Sequence, residues 1–147
     1  MLLHAFNTWF VANLLYPLML FAAFVVTGEY TTADIFHAES ITILILIVSF
    51  SAFFSVPSLF VSRVLLRIIV LTNDTLIMKF IAWLFAASLL VMLDVLVTLF
   101  LFSGDIEIRS LLFALPAIAA TWVSILIRWK QFVSLVLMQN VTDKTTG

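Results

Sequence analysis

The sequence predicts an all-α membrane protein built as a four-transmembrane-helix bundle, and three observations carry that reading. Hydrophobic residues make up 65% of the 147-residue chain and charged residues only 10%. A soluble domain carries roughly 25% charged residues, so this chain has too little charge to cover a surface in water. Four apolar runs, 8–27, 41–62, 80–102 and 110–127, each match the length of about 17–25 residues that a helix needs to cross a bilayer. None of the runs alternates polar with apolar residues, as membrane barrel strands must. Four spans and short connections consume nearly all of residues 1–147. A single transmembrane domain is expected, with no room for a soluble catalytic or ligand-sensing domain.

The first run is read as a retained span. The first Lys or Arg in the chain is Arg63, so the basic start of a secretory signal is lacking. Pro17 removes a backbone donor inside this span, and Asn13 stands one turn before it, where its amide can rebond. The connection 28–40 carries Glu29, Asp34 and Glu39 and no Lys or Arg. Within it, Asp34, His37 and Glu39 form a weak D-x-x-H-x-E candidate for zinc. One His and two carboxylates in an acidic loop are far more often a solvated connection, so no metal is expected.

The second run holds Ser51, Ser55, Ser58 and Ser62. Their offsets of 0, 4, 7 and 11 place all four on one helix face. Small residues let membrane helices approach closely, and their hydroxyls bond across the contact. The stripe is read first as helix packing, and second as the hydrophilic wall of a pore in an oligomer. Pro57 lies inside it, as Pro116 lies inside the fourth run. The fourth run also supplies a small surface over 114–120 (ALPAIAA).

Charge sets the direction of the spans. Arg63, Arg67 and Lys79 follow span two, and Arg128, Lys130 and Lys144 follow span four. Only Arg109, beside Asp105 and Glu107, falls on the opposite side. Six of the seven basic residues on one side place both termini in the cytoplasm by the positive-inside rule. Arg63, Arg67, Lys79, Arg128 and Lys130 are then expected at the membrane surface, with Trp9, Trp83 and Trp129 as anchors at the same boundary. The segments 63–71 and 128–139 stay apolar past these basic residues. They either extend as continuous helices into the cytoplasm or bend to lie along the inner leaflet. Neither contains Gly or Pro, so continuous helices are expected. Thr72 or Asp74 is the expected cap of the third helix.

Asp94 is the only acidic or basic side chain within the four spans. A charge near the bilayer centre costs roughly 2.5–3.5 kcal/mol on insertion scales and is a functional candidate by default. It lies ~12 Å below the outer end of its span. At that depth the other helices offer Ser49 and Ser51, with Tyr16 nearby, and Thr98 follows one turn on. These are hydroxyls without a cation, and a protonated carboxyl could donate to them. Asp94 is therefore a polar clasp between helices, a pairing site for another chain, or a site that binds a proton or cation. Asn13, Tyr16, Ser49, Ser51 and Thr98 complete this intramembrane polar set.

The two halves of the chain look weakly alike. Each forms an in–out–in hairpin whose outer loop opens Thr-Gly-Glu (27–29) or Ser-Gly-Asp (103–105). Short membrane hairpins share such patterns in any case. In architecture alone, the chain is similar to small four-span bacterial membrane proteins such as accessory subunits, immunity proteins and membrane components of defence systems. The likeness rests on no motif and implies a bacterial inner-membrane location.

An enzyme is not expected. No nucleophile stands with a base, no carboxylates pair within a span and no Gly-rich phosphate loop is present. Cysteine is absent, which removes disulfides and thiolate sites. No cofactor is expected, and the scattered basic residues do not suit nucleic acid. The leading expectation is an interaction protein, acting by helix–helix association with itself or as an accessory subunit of another membrane protein. The alternative is an oligomeric ion channel or small ion-coupled transporter that uses Asp94.

Overall fold

A computed structural model of the chain describes residues 2–28, 37–72, 75–103 and 111–146. These residues form six helices: α1 (Leu2–Val26), α2 (Ala38–Phe54), α3 (Val56–Leu71), α4 (Leu76–Ser103), α5 (Leu111–Ile127) and α6 (Trp129–Thr146). Helix accounts for 94% of the described residues, and no strand occurs among them. Helix follows from the composition, because apolar segments can satisfy their backbone groups away from water only within themselves. α1 and α4 are each long and apolar enough to cross a membrane, and the number rises to four if each of two bent pairs is one span.

The helix ends are set locally. α1 stops at Gly28, whose φ of +77° is the left-handed geometry that glycine adopts without cost. The Gly28 N–H donates to the Val25 carbonyl at 3.2 Å. At the start of α4, Thr75 Oγ1 accepts the Met78 N–H at 3.4 Å, which makes Thr75 the capping side chain. The expected cap Thr72 instead ends α3, giving its hydroxyl to the Ile69 carbonyl at 2.8 Å. Asp74 lies outside the described residues.

The expectation of continuous helices needs correction. The chain bends by 54° between α2 and α3 and by 61° between α5 and α6. The first bend falls at Ser55, inside the run 41–62, and α3 then continues unbroken through Arg63 to Leu71. Pro57 stands in the first turn of α3, where its missing N–H interrupts the ladder from α2. The Ser55 hydroxyl also bonds back to the Ser51 carbonyl at 2.6 Å, a contact that bends helices. The second bend falls at Arg128 without Pro or Gly. There the ladder tightens, with the Arg128 N–H reaching the Ile125 carbonyl at 3.1 Å and the Gln131 N–H reaching the Arg128 carbonyl at 3.0 Å. Arg128 also bonds the Gln131 side chain through its guanidinium.

Packing explains why bending prevails at Arg128. The bend turns Phe132 and Val136 of α6 into a cluster with Leu66 and Val70 of α3, Trp83 and Ala87 of α4, and Ile125 of α5. Phe132 and Leu66 are fully buried. Trp129 meets Phe80 edge-on at 4.5 Å. A straight α5–α6 rod would forfeit these contacts. Trp83, expected as an interfacial anchor, is 2% exposed and belongs to this core. Trp9 likewise turns inward, donating its indole N–H to Ser55 at 2.9 Å.

Both halves share one plan: a long helix of 25 or 28 residues, then 17 residues, a bend, and 16 or 18 more. Their packing is not symmetric. α1 runs along α5 in the most extensive contact of the bundle, and the Ser124 hydroxyl fastens the two through the Thr8 carbonyl at 2.7 Å. The equivalent pairing, α4 with α2, is sparse at most. α4 instead packs on α5 and α3, which leaves a gap between α2 and α4.

Candidate functional site: a cavity between the helices

The gap is a cavity of about 400 Å³. α1 contributes Trp9, Asn13 and Tyr16, and α2 contributes Leu46, Phe50 and Ser51. Ser58 and Ser62 enter from α3. Val91, Asp94, Val95 and Thr98 enter from α4, and Phe113, Ala117 and Thr121 from α5. The walls are mainly apolar, with two polar groupings set into them.

The first grouping centres on Asn13. Its amide nitrogen donates to the Trp9 carbonyl at 3.0 Å and to Ser55 Oγ at 3.3 Å. Its amide oxygen accepts from Ser51 Oγ at 2.6 Å. The spacing Trp9–Asn13 is one helical turn, and Ser51–Ser55 is another, so two short polar ladders face each other. The Asn13 amide is thus spent within the chain, and it ties α1 to the α2–α3 bend.

The second grouping is Asp94 with Ser58. Ser58 Oγ donates to Asp94 Oδ1 at 2.5 Å, joining α3 to α4. The bend at Ser55 brings Ser58 here, since it redirects α3 towards α4. Thr98 and Tyr16 line the same cavity. Among the described residues no Lys, Arg or His lines it.

The serine stripe is divided between the two groupings. Ser51 and Ser55 face Asn13 and Trp9, while Ser58 faces Asp94. Ser62 lines the cavity and donates to the Leu59 carbonyl at 2.8 Å. Ser49 is not part of the site: it is exposed and bonds its own helix at the Ile45 carbonyl. Of the intramembrane polar set, Asn13, Tyr16, Ser51, Asp94 and Thr98 therefore meet at one cavity and Ser49 does not.

The basic residues behave differently from one another. Arg63, Arg67 and Lys130 are exposed, and Arg128 is half-buried at the bend. Lys79 is only 3% exposed, with its ammonium donating to the Val70 carbonyl at 2.7 Å. It closes the C-terminal end of α3, where unpaired carbonyls and the helix dipole favour a cation. His37 precedes α2, is exposed and makes no capping bond. Asp34 and the Glu39 side chain lie outside the described residues, so the zinc candidate does too.

Two residues were not evident from sequence. Thr121 lines the cavity through α5, one turn beyond Ala117, whose carbonyl takes its hydroxyl at 2.9 Å. His4, isolated in the sequence, is buried near Phe132 of α6, with ring centres 6.3 Å apart. Only the fold joins residues so far apart in the chain. Comparison with protein-family models, with curated proteins and with solved structures finds no match, so the reading of this site rests on its geometry.

Proposed function

We propose that the chain is a four-span integral membrane protein of a bacterial inner membrane, with both termini cytoplasmic. It acts through helix–helix association, as a homo-oligomer or as an accessory component of a larger membrane assembly. Each bent pair, α2–α3 and α5–α6, crosses once in this reading, and its end past Arg63 or Arg128 lies on the cytoplasmic side of the membrane. The supporting observation is apolar surface left over past the basic residues. Val64, Ile68 and Leu71 share one face of α3 beyond Arg63 and remain exposed, as do Leu137 and Met138 of α6. They stay exposed although α3 and α6 have already packed against each other. Contiguous apolar surface outside lipid marks an association face.

The experiment is the mass of the purified protein in nanodiscs, for wild type and for Ile68→Glu with Leu137→Glu. An oligomer that falls to monomer in the double variant supports association through this face. A wild-type monomer removes self-association, and an unaffected oligomer removes this face. Deleting α6 would be a poorer test, because it takes Phe132 and Val136 out of the core.

A second reading, an ion-coupled transporter or channel, is favoured by one observation: Asp94 lines a cavity inside a single chain. The serines that a subunit would offer to an oligomeric pore bond within the chain, so any pathway would run through each bundle. Asp94→Asn would then abolish ion or proton flux in liposomes while leaving the assembly intact. Absence of flux in the wild type would remove this reading.

A further inference from the structure

We infer that the gap between α2 and α4 is a binding site for a lipophilic organic cation, an alkylammonium-type molecule whose head meets Asp94. The volume of about 400 Å³ falls within the range of roughly 300–1,000 Å³ typical of small-molecule sites. Among the described residues the lining holds one carboxyl and no basic side chain. Among the described residues the hydrogen-bond partner of Asp94 is Ser58, a neutral hydroxyl that cannot balance a carboxylate. A carboxylate away from water is stabilised chiefly by a cation in direct contact.

The rest of the cavity selects the kind of cation. A bare metal ion needs about six oxygen ligands, and the mainly apolar walls do not supply them around Asp94. An ammonium head needs only three acceptors. Asp94 provides one, and the hydroxyl oxygens of Thr98 and Tyr16, lining the same cavity, can accept the others. The Asn13 grouping does not compete for the head, because its members already bond one another. An apolar tail finds Val91 and Val95 of α4 on one side and Leu46 and Phe50 of α2 on the other. Leu46 and Phe50 are half exposed, so the gap opens to the flank of the bundle, and a molecule dissolved in lipid can enter there. The sparse α2–α4 pairing, which breaks the likeness of the two halves, is what makes the site. The site does not depend on association between chains.

The test uses the full chain in nanodiscs with decylammonium chloride as probe and decanol and decanoate as controls. Trp9 and Trp83 line the cavity, so their fluorescence reports occupancy. Native mass spectrometry supplies the stoichiometry. Saturable binding of one decylammonium is expected, with decanol and decanoate at least about tenfold weaker, a factor equal to 1.4 kcal/mol. Asp94→Asn retains an acceptor for Ser58 and is expected to lose the same factor. Ala12 of α1 also lines the cavity, and Ala12→Phe, or Val95→Phe if the first does not fold, fills it and is expected to abolish binding with Asp94 in place. Equal binding of decanol, undiminished binding to Asp94→Asn, or unsaturable uptake that survives cavity filling would each overturn the site.

Discussion

Ser58 Oγ and Asp94 Oδ1 meet at 2.5 Å across the α3–α4 contact, although neither residue's sequence neighbourhood points to the other. Asp94 supplies the acceptor, Ser58 the donor, and the bend at Ser55 the approach. Interhelical hydrogen bonds in membrane bundles contribute about 0.6 kcal/mol on average and up to about 1.7. Ser58→Ala is expected to lower stability by about 1 kcal/mol in reversible unfolding from mixed micelles. Asp94→Asn, which keeps an acceptor, should cost less than Asp94→Leu, which does not. Equal losses for the two Asp94 variants would mean that this bond contributes nothing to holding α3 on α4.

The Asn13 grouping makes a separate prediction about coupling. Asn13 and Ser51 share one hydrogen bond at 2.6 Å, and Asn13 has two further acceptors in the Trp9 carbonyl and Ser55. A double-mutant cycle of Asn13→Ala with Ser51→Ala should give a coupling of about 1 kcal/mol. Asn13→Ala alone should exceed Ser51→Ala alone, since it also releases the bonds to the Trp9 carbonyl and to Ser55. Strict additivity in the cycle would show that the Asn13–Ser51 bond does not help to hold α1 to the α2–α3 bend.

Much of the helical content was legible because hydrophobicity and run length are properties of single segments. The same holds for Asp94, an acidic residue where composition allows none, and for the Ser51–Ser62 stripe, a pattern of spacing. What was not legible depends on several segments at once. The bend at Arg128 carries no Gly or Pro; it is held by Phe132 and Val136, whose partners lie on α3 and α4. Lys79 reads as a surface charge from its place beside a loop, yet its partner is a carbonyl nine residues earlier on α3. Trp83 reads as a boundary anchor from its position, but its burial is decided by the same cluster. Ser49 and Ser51 sit at similar depth, and only the rotation of α2 separates the exposed one from the one at the cavity.

The bend between α2 and α3 can be relaxed at Pro57. Pro57 lacks the N–H that would reach the carbonyl of Phe53, and its ring crowds that carbonyl. Pro57→Ala restores the donor, so the 54° angle should decrease and the two ends of the pair should move apart. Because the chain has no cysteine, single cysteines at the exposed positions Ile45 and Ile68 give unique spin-label sites. Electron–electron resonance distances between them should lengthen in Pro57→Ala, and decylammonium binding should weaken as Ser58 leaves Asp94. An unchanged distance would show that the Ser55 back-bond and the contacts of α3 with α4 hold the bend without proline.

The two faces of α6 differ in what they contribute, and substitution can separate them. Phe132 is fully buried among Leu66, Val70, Trp83 and Ile125, and it lies 5.8 Å from Phe80 ring to ring. Phe132→Ala removes a ring that no neighbour can replace and should cost about 3–5 kcal/mol, through lost contacts and the cavity left behind. Leu137, five residues on, is 57% exposed and is not a member of that cluster. Leu137→Ala should change monomer stability by less than about 0.5 kcal/mol. If α6 acts as an association surface, the same Leu137 substitution should weaken the oligomer measured by mass. Unfolding of the monomeric form and dissociation of the assembly would then respond to opposite faces of one helix. A Phe132→Ala variant as stable as wild type would mean that α6 does not pack on α3 and α4, and that the 61° bend does not serve to bury it.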